Sequence, residues 1–331
     1  MSETEDFSYV VPVRWADGSQ RGDLTRYLAR LRQRGAEVIV VDGSAEPVFA
    51  ANAAAWGEHA VHLPPDEAEA CLNGKVAGVR TGVRRASHER IVIADDDVRY
   101  DPGSLRRTVE LLGAYDLVRP QNYFEPLPWH ARWDTARTLL NRGLGGDYPG
   151  TLAVRRSRIL AMGGYDGDVL FENLELIRTV RAHGGSTVAP LDLFVARLPP
   201  STAHFWGQRV RQAYDDFAIP ARMAVWLAIP PLLGLSARRR RMGPALSLAV
   251  LSILAAEGGR RRQRGADVFP ATSSLLAPVW ILERAVCSWL AVAQRLRFGG
   301  VRYAGRRIAI AGHSEAQLRR RLESRRPPAG D

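Results

Sequence analysis

The chain opens with short apolar runs separated by longer polar stretches in which leucines recur at helical intervals. Tyr9–Val13 (YVVPV) reads as a buried strand. Leu24, Leu28 and Leu31 then lie on one helix face between Gly22 and Arg34. Glu37–Val41 (EVIVV) is a second strand, ending on Asp42-Gly43-Ser44. Strand, helix and strand at this length form a βαβ unit, which requires parallel pairing. Asn73 to Ala86 is polar, glycine-containing and helical in spacing. Ile91–Ala94 (IVIA) is a third strand, and it runs directly into Asp95-Asp96-Asp97. Leu105 to Leu112 predicts a helix and Leu117-Val118 the start of another strand. A glycine-rich loop, Gly143 to Gly150, precedes a strand at Thr151–Val154 and a short helix at Ser157–Met162 that Gly163-Gly164 stops. Glu172 to His183 carries Leu174, Ile177 and Val180 on one face, and Gly184-Gly185 closes it as C-terminal glycines do. Thr187–Ala189 and Leu193–Ala196 complete the strands, and no internal repeat is visible.

The pattern changes after Pro199-Pro200. Three apolar stretches follow, Ile219–Leu235, Pro244–Ala256 and Leu275–Ala293. None is a clean membrane span. The first holds Arg222 and Pro230-Pro231, the second has about 13 residues against the ~20 a span needs, and the third has Glu283-Arg284 in its middle. Arginine clusters at Arg238–Arg241 and Arg260–Arg264 separate them. Two successive spans would place one cluster on each side of a membrane, against the positive-inside tendency. In-plane or re-entrant helices on anionic headgroups fit better, and a soluble helical subdomain is the alternative.

Charge sharpens this division. Residues 1–200 contain 24 basic against 27 acidic residues, and residues 201–331 contain 22 against 8. A nearly neutral body therefore carries a basic C-terminal third, which attracts a polyanion, either nucleic acid or an anionic lipid surface. The 46% hydrophobic, 24% charged composition excludes a largely disordered chain. Cys71 and Cys287 form no CxxC pair, which excludes a disulfide framework and a thiolate zinc site. Met1 to Phe7 is acidic and polar, so no signal peptide is expected, and a cytosolic-side location follows. Lys75 is the only lysine; the other basic residues are arginine.

Two predicted strands end in aspartate, at Asp42 and at Asp95–Asp97. Ligands of open α/β sheets bind at such ends. Three consecutive acids repel one another and invite a hard divalent cation together with substrate phosphates; a solvated acidic turn is the equal alternative. If the strand continued, Asp95 and Asp97 would share one face and Asp96 the other.

The order of these features resembles a GT-A glycosyltransferase of the family-two type. The matching residues are Pro12-Val13, Val40-Val41-Asp42, Gly74-Lys75, Asp95-Asp96-Asp97, Gly163-Gly164-Tyr165-Asp166, Glu172-Asn173, and a QxxR at Gln208 to Arg211. The likeness covers residues 8–215 and rests on the sequence of motifs, not on any one of them. The segment with Trp280, Leu282-Glu283-Arg284, Gly299-Gly300-Val301 and Tyr303–Arg306 is more loosely similar to tails of bacterial ceramide- or hopanoid-type glucosyltransferases.

The resemblance implies an α/β GT-A domain over 1–215; the apolar stretches and the charge predict a helical membrane-associated region over 216–312 and a basic disordered tail over 313–331. It implies a nucleotide-sugar donor, Mg2+ or Mn2+, and a lipid or envelope-precursor acceptor at the cytoplasmic membrane face, with no nucleic-acid partner. Donor contacts fall to Pro12, Asp42, Lys75, Asp95, Asp96, Gln208 and Arg211, and metal ligation to Asp95, Asp97 and His204. Each has an ordinary alternative: an Asx turn for Asp42, a solvated helix lysine for Lys75, a capping or core histidine for His204, an exposed helix face for Gln208 and Arg211. An inverting transfer needs a general base, which family-two enzymes place as the second acid of an ED pair. Here that position is Asn173, which cannot take a proton. Glu172 is the candidate, with Glu175 one turn on. Glu172–Glu175 (ENLE) also resembles the acidic motif of retaining polypeptide GalNAc-transferases, where the glutamate binds donor-sugar hydroxyls, so the stereochemistry stays open. Gln212 replaces the tryptophan of QxxRW, which argues against a processive synthase. The rival readings are a nucleotidyltransferase, against which Pro12–Gly18 lacks a glycine-rich phosphate loop, and a basic nucleic-acid-binding protein.

Overall fold

The computed structural model describes residues 6–324. Its elements begin β1 (Phe7–Val13), α1 (Arg21–Gln33), β2 (Glu37–Asp42), α2 (Val48–Trp56), β3 (Val61–Leu63), α3 (Gly74–Arg85), β4 (Arg90–Ala94), β5 (Val98–Arg99), α4 (Pro102–Leu111), β6 (Leu117–Val118), β7 (Gln121–Phe124), α5 (Trp129–Gly143), β8 (Thr151–Arg155), α6 (Arg156–Ala161) and α7 (Glu172–Ala182). They continue with β9 (Thr187–Val188), β10 (Phe194–Arg197), α8 (Thr202–Gly207), α9 (Arg209–Tyr214), α10 (Pro220–Arg238), α11 (Gly243–Arg261), α12 (Ala271–Leu275), α13 (Ala277–Phe298), β11 (Val301–Tyr303), β12 (Arg306–Ile308) and α14 (Glu315–Glu323). The chain divides into two compact units. One comprises residues 1–120, 149–188 and 313–331; the other comprises 121–148 and 189–312.

The first unit is built on a seven-stranded sheet in the order β3-β2-β1-β4-β8-β6-β9. β1 pairs in parallel with β2 and β4, and β2 with β3, so the predicted βαβ unit is present. β8 runs antiparallel to β4 and β6. The central strands are continuous apolar runs because helices cover the sheet, and Val10, Val11, Ile39, Val40, Ile91 and Val92 are buried. α1 contributes Leu24, Leu28 and Leu31, the three leucines of the sequence pattern. α3 lies very close to β1: a Cβ on Gly82 would sit 2.4 Å from Val10 Cγ1, and one on Gly78 3.0 Å from Pro12 Cβ. These two glycines, one turn apart, set how deeply the helix seats and therefore where its N-terminus ends.

Three expectations fail here. The strand before the acids stops at Ala94 and turns, with the Val98 N–H donating to the Asp95 carbonyl, so strand alternation does not order Asp95–Asp97. Residues 315–323, placed in a disordered tail from their charge, form α14. Ser314 and Gln317 make a reciprocal capping box and Leu318 is buried, which gives a short basic helix a start and an anchor. Residues 325–331 lie outside the described part. The chain also does not divide at 215, because 121–148 and 189–215 belong with the helices that follow.

The second unit packs α5, α11, α12 and α13 around Ala136, Leu139, Ile229, Ala256, Phe269, Ala277, Trp280 and Ile281. α11 meets α5 through backbone: a Cβ on Gly259 would fall 1.9 Å from the Leu139 carbonyl oxygen. Polar side chains are buried in this unit as well. Arg142 is fully buried and donates to the carbonyls of Leu191, Gly259 and Arg262. Burial, followed by repulsion from Arg262, lowers its pKa to about 10. Arg209 bridges Asp134 at 2.9 Å and Glu283. Among the described residues one helix, α10, is long and apolar enough to cross a membrane by length and composition.

Candidate active site

The parallel strands β1, β2 and β4 present their carboxyl ends on one edge of the sheet, and Asp42 and Asp95–Asp97 follow β2 and β4 there. α3 and α7 begin at the same edge because the loops ahead of them are zipped together. Asn73, the N-cap of α3, accepts the Lys75 N–H at 3.1 Å, donates its amide to the Val169 carbonyl at 3.1 Å, and sends its own N–H to the Gly167 carbonyl at 2.9 Å. The Leu72 N–H donates to Asp168 Oδ1 at 2.8 Å. Gly167 permits this approach, since a Cβ there would lie 2.4 Å from Cys71 Sγ.

The zipped loops bring Lys75 and Glu172 together. Lys75 Nζ stands 2.5 Å from Asp95 Oδ1 and 2.7 Å from Glu172 Oε1, with all three side chains largely buried. Burial alone would lower the lysine pKa. The charges of Asp95 and then Glu172 outweigh it and raise the pKa well above the ordinary lysine value, so the ammonium persists. The resemblance implies a donor contact for Lys75; in the structure its ammonium is paired with two carboxylates. Tyr165 is buried beside this triad, and burial, then the Glu172 charge, raises its pKa.

The acids after β4 are held individually. Asp95 is pinned by its N–H to the Gly150 carbonyl at 2.8 Å, at the start of β8. Asp96 Oδ2 accepts the Trp15 indole N–H at 2.5 Å, and its carbonyl accepts Arg99 Nη1 at 2.6 Å. Asp97 is half-buried in the same turn.

Asp42 points inward. Its oxygens accept the Ser44 N–H at 2.8 Å, the Asn52 amide at 2.8 Å and His62 Nε2 at 3.1 Å. Burial would raise its pKa, but the hydrogen bonds from His62, Ser44 and Asn52 prevail and hold it at about 2. The Asx turn with Ser44 is therefore present, and it shapes the loop after β2. Pro12 packs beneath Gly78. Asn173 donates Nδ2 to the Pro149 carbonyl at 2.9 Å, which ties α7 to the segment before β8. Glu175 is fully buried and bound to His313, so it is not available to an acceptor.

His204, Gln208 and Arg211 belong to the second unit. His204 is exposed on α8, where its N–H is capped by Ser201 Oγ at 3.2 Å. Gln208 Oε1 accepts Arg211 Nη2 at 3.2 Å, and the Arg211 guanidinium lies over the Tyr303 ring at 5.3 Å. Gln212, in the place of the missing tryptophan, accepts Arg209 Nη1 at 3.1 Å.

Sequence reasoning missed Trp15, which orients Asp96, the Asn52–His62 pair around Asp42, and His313. None carries a local signal: each reaches its partner across 10 to 138 positions of sequence. Asp166, Glu175 and His313 also have ligand atoms within 4.8 Å of one another, a convergence that could hold a metal.

Residues 41–119 match the model of glycosyl transferase family 21, a span that contains Asp42, Lys75 and Asp95–Asp97. The structure is similar to the mannosyltransferase PcManGT from Pyrobaculum calidifontis, solved in complex with GDP-Man and Mn2+, with a TM-score of 0.51, 17% identity and 86% of each chain covered. Lower scores are found for a mycobacterial protein (TM-score 0.42, 17% identity, 63% of this chain and 72% of that one) and for mannosyl-3-phosphoglycerate synthase from Rubrobacter xylanophilus (0.41, 15%, 61% and 69%). No curated protein matches in sequence. The fold is that of the GT-A glycosyltransferases. Together with the family-21 match, it supports a nucleotide-sugar glycosyltransferase.

Proposed function

We propose that this chain is a metal-dependent hexosyltransferase that moves a sugar from a nucleotide-diphosphate donor to a lipid or envelope-precursor acceptor at the cytoplasmic face of a membrane. The observation that carries the reading is the Lys75–Asp95–Glu172 triad at the carboxyl edge of the sheet, beside two further aspartates. PcManGT was solved with GDP-Man and Mn2+, so a guanosine-diphosphate sugar with Mn2+ is the first donor to try.

The residues fit a divalent ion by chemistry: carboxylate oxygens are the donors a hard cation takes, and Asp97 with Asp95 would hold it. When bound, it offsets charge on the leaving diphosphate. Lys75 fixes the Asp95 and Glu172 carboxylates in one geometry. Trp15 does the same for Asp96. Glu172, at the first position of α7, is the group we assign to the acceptor hydroxyl proton. Its neighbour Asn173 is engaged with the backbone of Pro149 and has no proton-accepting group. Asp42 shapes the donor-side loop from behind, and Pro12 supports α3.

The membrane part of the proposal rests on that unit's surface. Leu232, Leu246, Leu251 and Leu254 are 60–66% exposed, and Val286, Trp289 and Leu290 are also exposed. Arginines at 238–241 and 260–264 adjoin these helices in sequence. Apolar side chains with neighbouring cations are what an anionic bilayer surface binds. Release of nucleotide diphosphate from a panel of nucleotide sugars, with acidic liposomes carrying candidate lipid acceptors, tests the reading. Release that is chelator-sensitive supports it; none from any donor refutes it.

A further inference from the structure

The N-cap residue of α7 is Phe171, whose side chain cannot cap a helix. Its first turn nevertheless carries Glu172 and must hold still. Glu175, one turn on, is gripped by a residue 138 positions away. Glu175 Oε2 accepts the His313 backbone N–H at 2.7 Å, and Oε1 lies 2.8 Å from His313 Nδ1. Arg178, also on α7, donates Nη1 to the His313 carbonyl at 2.8 Å. Arg321 of α14 donates to Asp166 Oδ2 at 3.0 Å and places Nη2 2.9 Å from His313 Nε2. A guanidinium is only a donor, so His313 Nε2 accepts and Nδ1 carries the proton that Glu175 receives as a hydrogen bond. His313 and Glu175 are buried, and every group of the Asp166–Glu175–His313 cluster is engaged by the chain's own donors and acceptors. The arrangement is a clasp.

We propose that His313, backed by Arg321, is a positioning residue: it fastens the first turn of α7 through Glu175 and so keeps Glu172 against Lys75. The catalytic consequence rests on the function proposed above; the structural consequence does not. These side-chain and backbone bonds anchor a helix end that has no side-chain cap. It also makes the active edge dependent on a segment that follows the entire second unit in sequence.

The sequence provides a private reporter, because Lys75 is the only lysine. Lysine-selective acylation located by mass spectrometry reads the Lys75–Glu172 pair without any activity assay. In the full-length protein Lys75 acylates slowly. In His313→Ala we expect its rate to rise about tenfold or more, the change that follows loss of a buried charge-assisted hydrogen bond. Turnover should fall by a similar factor, more than donor KM changes. His313→Asn, which can keep a donor near the Nδ1 position, should restore protection. Arg321→Ala, at a half-exposed side chain, should give the same changes at about threefold and keeps the test open should His313→Ala fail to fold. A folded His313→Ala or Arg321→Ala protein with parental Lys75 protection overturns the proposal. Altered protection in a protein that transfers no sugar would instead retain the clasp and refute the function.

Discussion

The two units handle charge in opposite ways. In the first, the sheet interior is mainly apolar and ionised groups gather at the strand ends, where Lys75 compensates two of the acids. In the second, charged residues lie inside beside the apolar core, and several leucines lie outside. Arg142, Arg209, Arg284, Asp134 and Asp216 are buried, while Leu232, Leu246, Leu251 and Leu254 are exposed. Water favours the first pattern. The second is costly in water and sensible beside lipid, where apolar side chains need no cover and polar ones must find partners within the protein. Under the proposed function, the contrast separates a catalytic layer from a surface suited to an apolar neighbour. It accounts for both the neutral body and the basic third of the sequence.

Substitutions at the strand-end site should have the largest effects on chemistry. Glu172→Gln is expected to lower turnover by roughly 10²–10⁴-fold, the range for losing a general base, with donor affinity nearly unchanged. Steady-state kinetics beside donor titration checks this; a loss confined to donor affinity would make Glu172 a sugar-binding group, and the product anomer by NMR would then fix the stereochemistry. In the second unit, Arg209→Met strands the carboxylates of Asp134 and Glu283 and should cost about 3–5 kcal/mol in denaturant unfolding, as removing one member of a buried pair does. A change near zero would mean that the inverted interior is wet.

Asp42 gives a smaller, pH-dependent effect. Its folded pKa, held at about 2, is below the ordinary ~3.9, so it contributes stability that is present above pH ~4 and is lost as pH falls through about 2. The contribution is about 2 kcal/mol, and Asp42→Asn should lose it and flatten stability across that acid range. The smallest stability effect is predicted for Leu246→Ser/Leu251→Ser/Leu254→Ser, within about 0.5 kcal/mol in detergent-free buffer since these side chains are exposed. The same variant should fail to float with acidic liposomes. Unchanged flotation would remove the lipid interpretation of the second unit.

The alternation of apolar runs made the first unit's strands legible, because buried parallel strands are uniform in sequence and their aspartate ends are abrupt. Glu172 and Lys75 were legible as separate candidates. Their pairing was not: it depends on Gly167 letting two loops touch and on Gly78 and Gly82 seating α3. The second unit was half legible. Its apolar stretches are visible, but periodicity cannot say that Leu254 faces out while Arg209 faces in. Segments 121–148 and 189–215 joined it without any compositional mark. α14 was misread because its arginines outweigh a single buried leucine and a four-residue capping motif.

The most direct test of the account is release of nucleotide diphosphate from nucleotide sugars by the full-length protein and by Asp97→Ala in parallel, with Mn2+ or Mg2+ and then with excess chelator. The account predicts that at least one donor is turned over, that chelator stops it, and that Asp97→Ala, while melting like the parent, shows about 10³-fold less. Turnover that survives both the chelator and the substitution would contradict the assignment of the acids after β4, and no turnover with any donor would contradict glycosyl transfer itself.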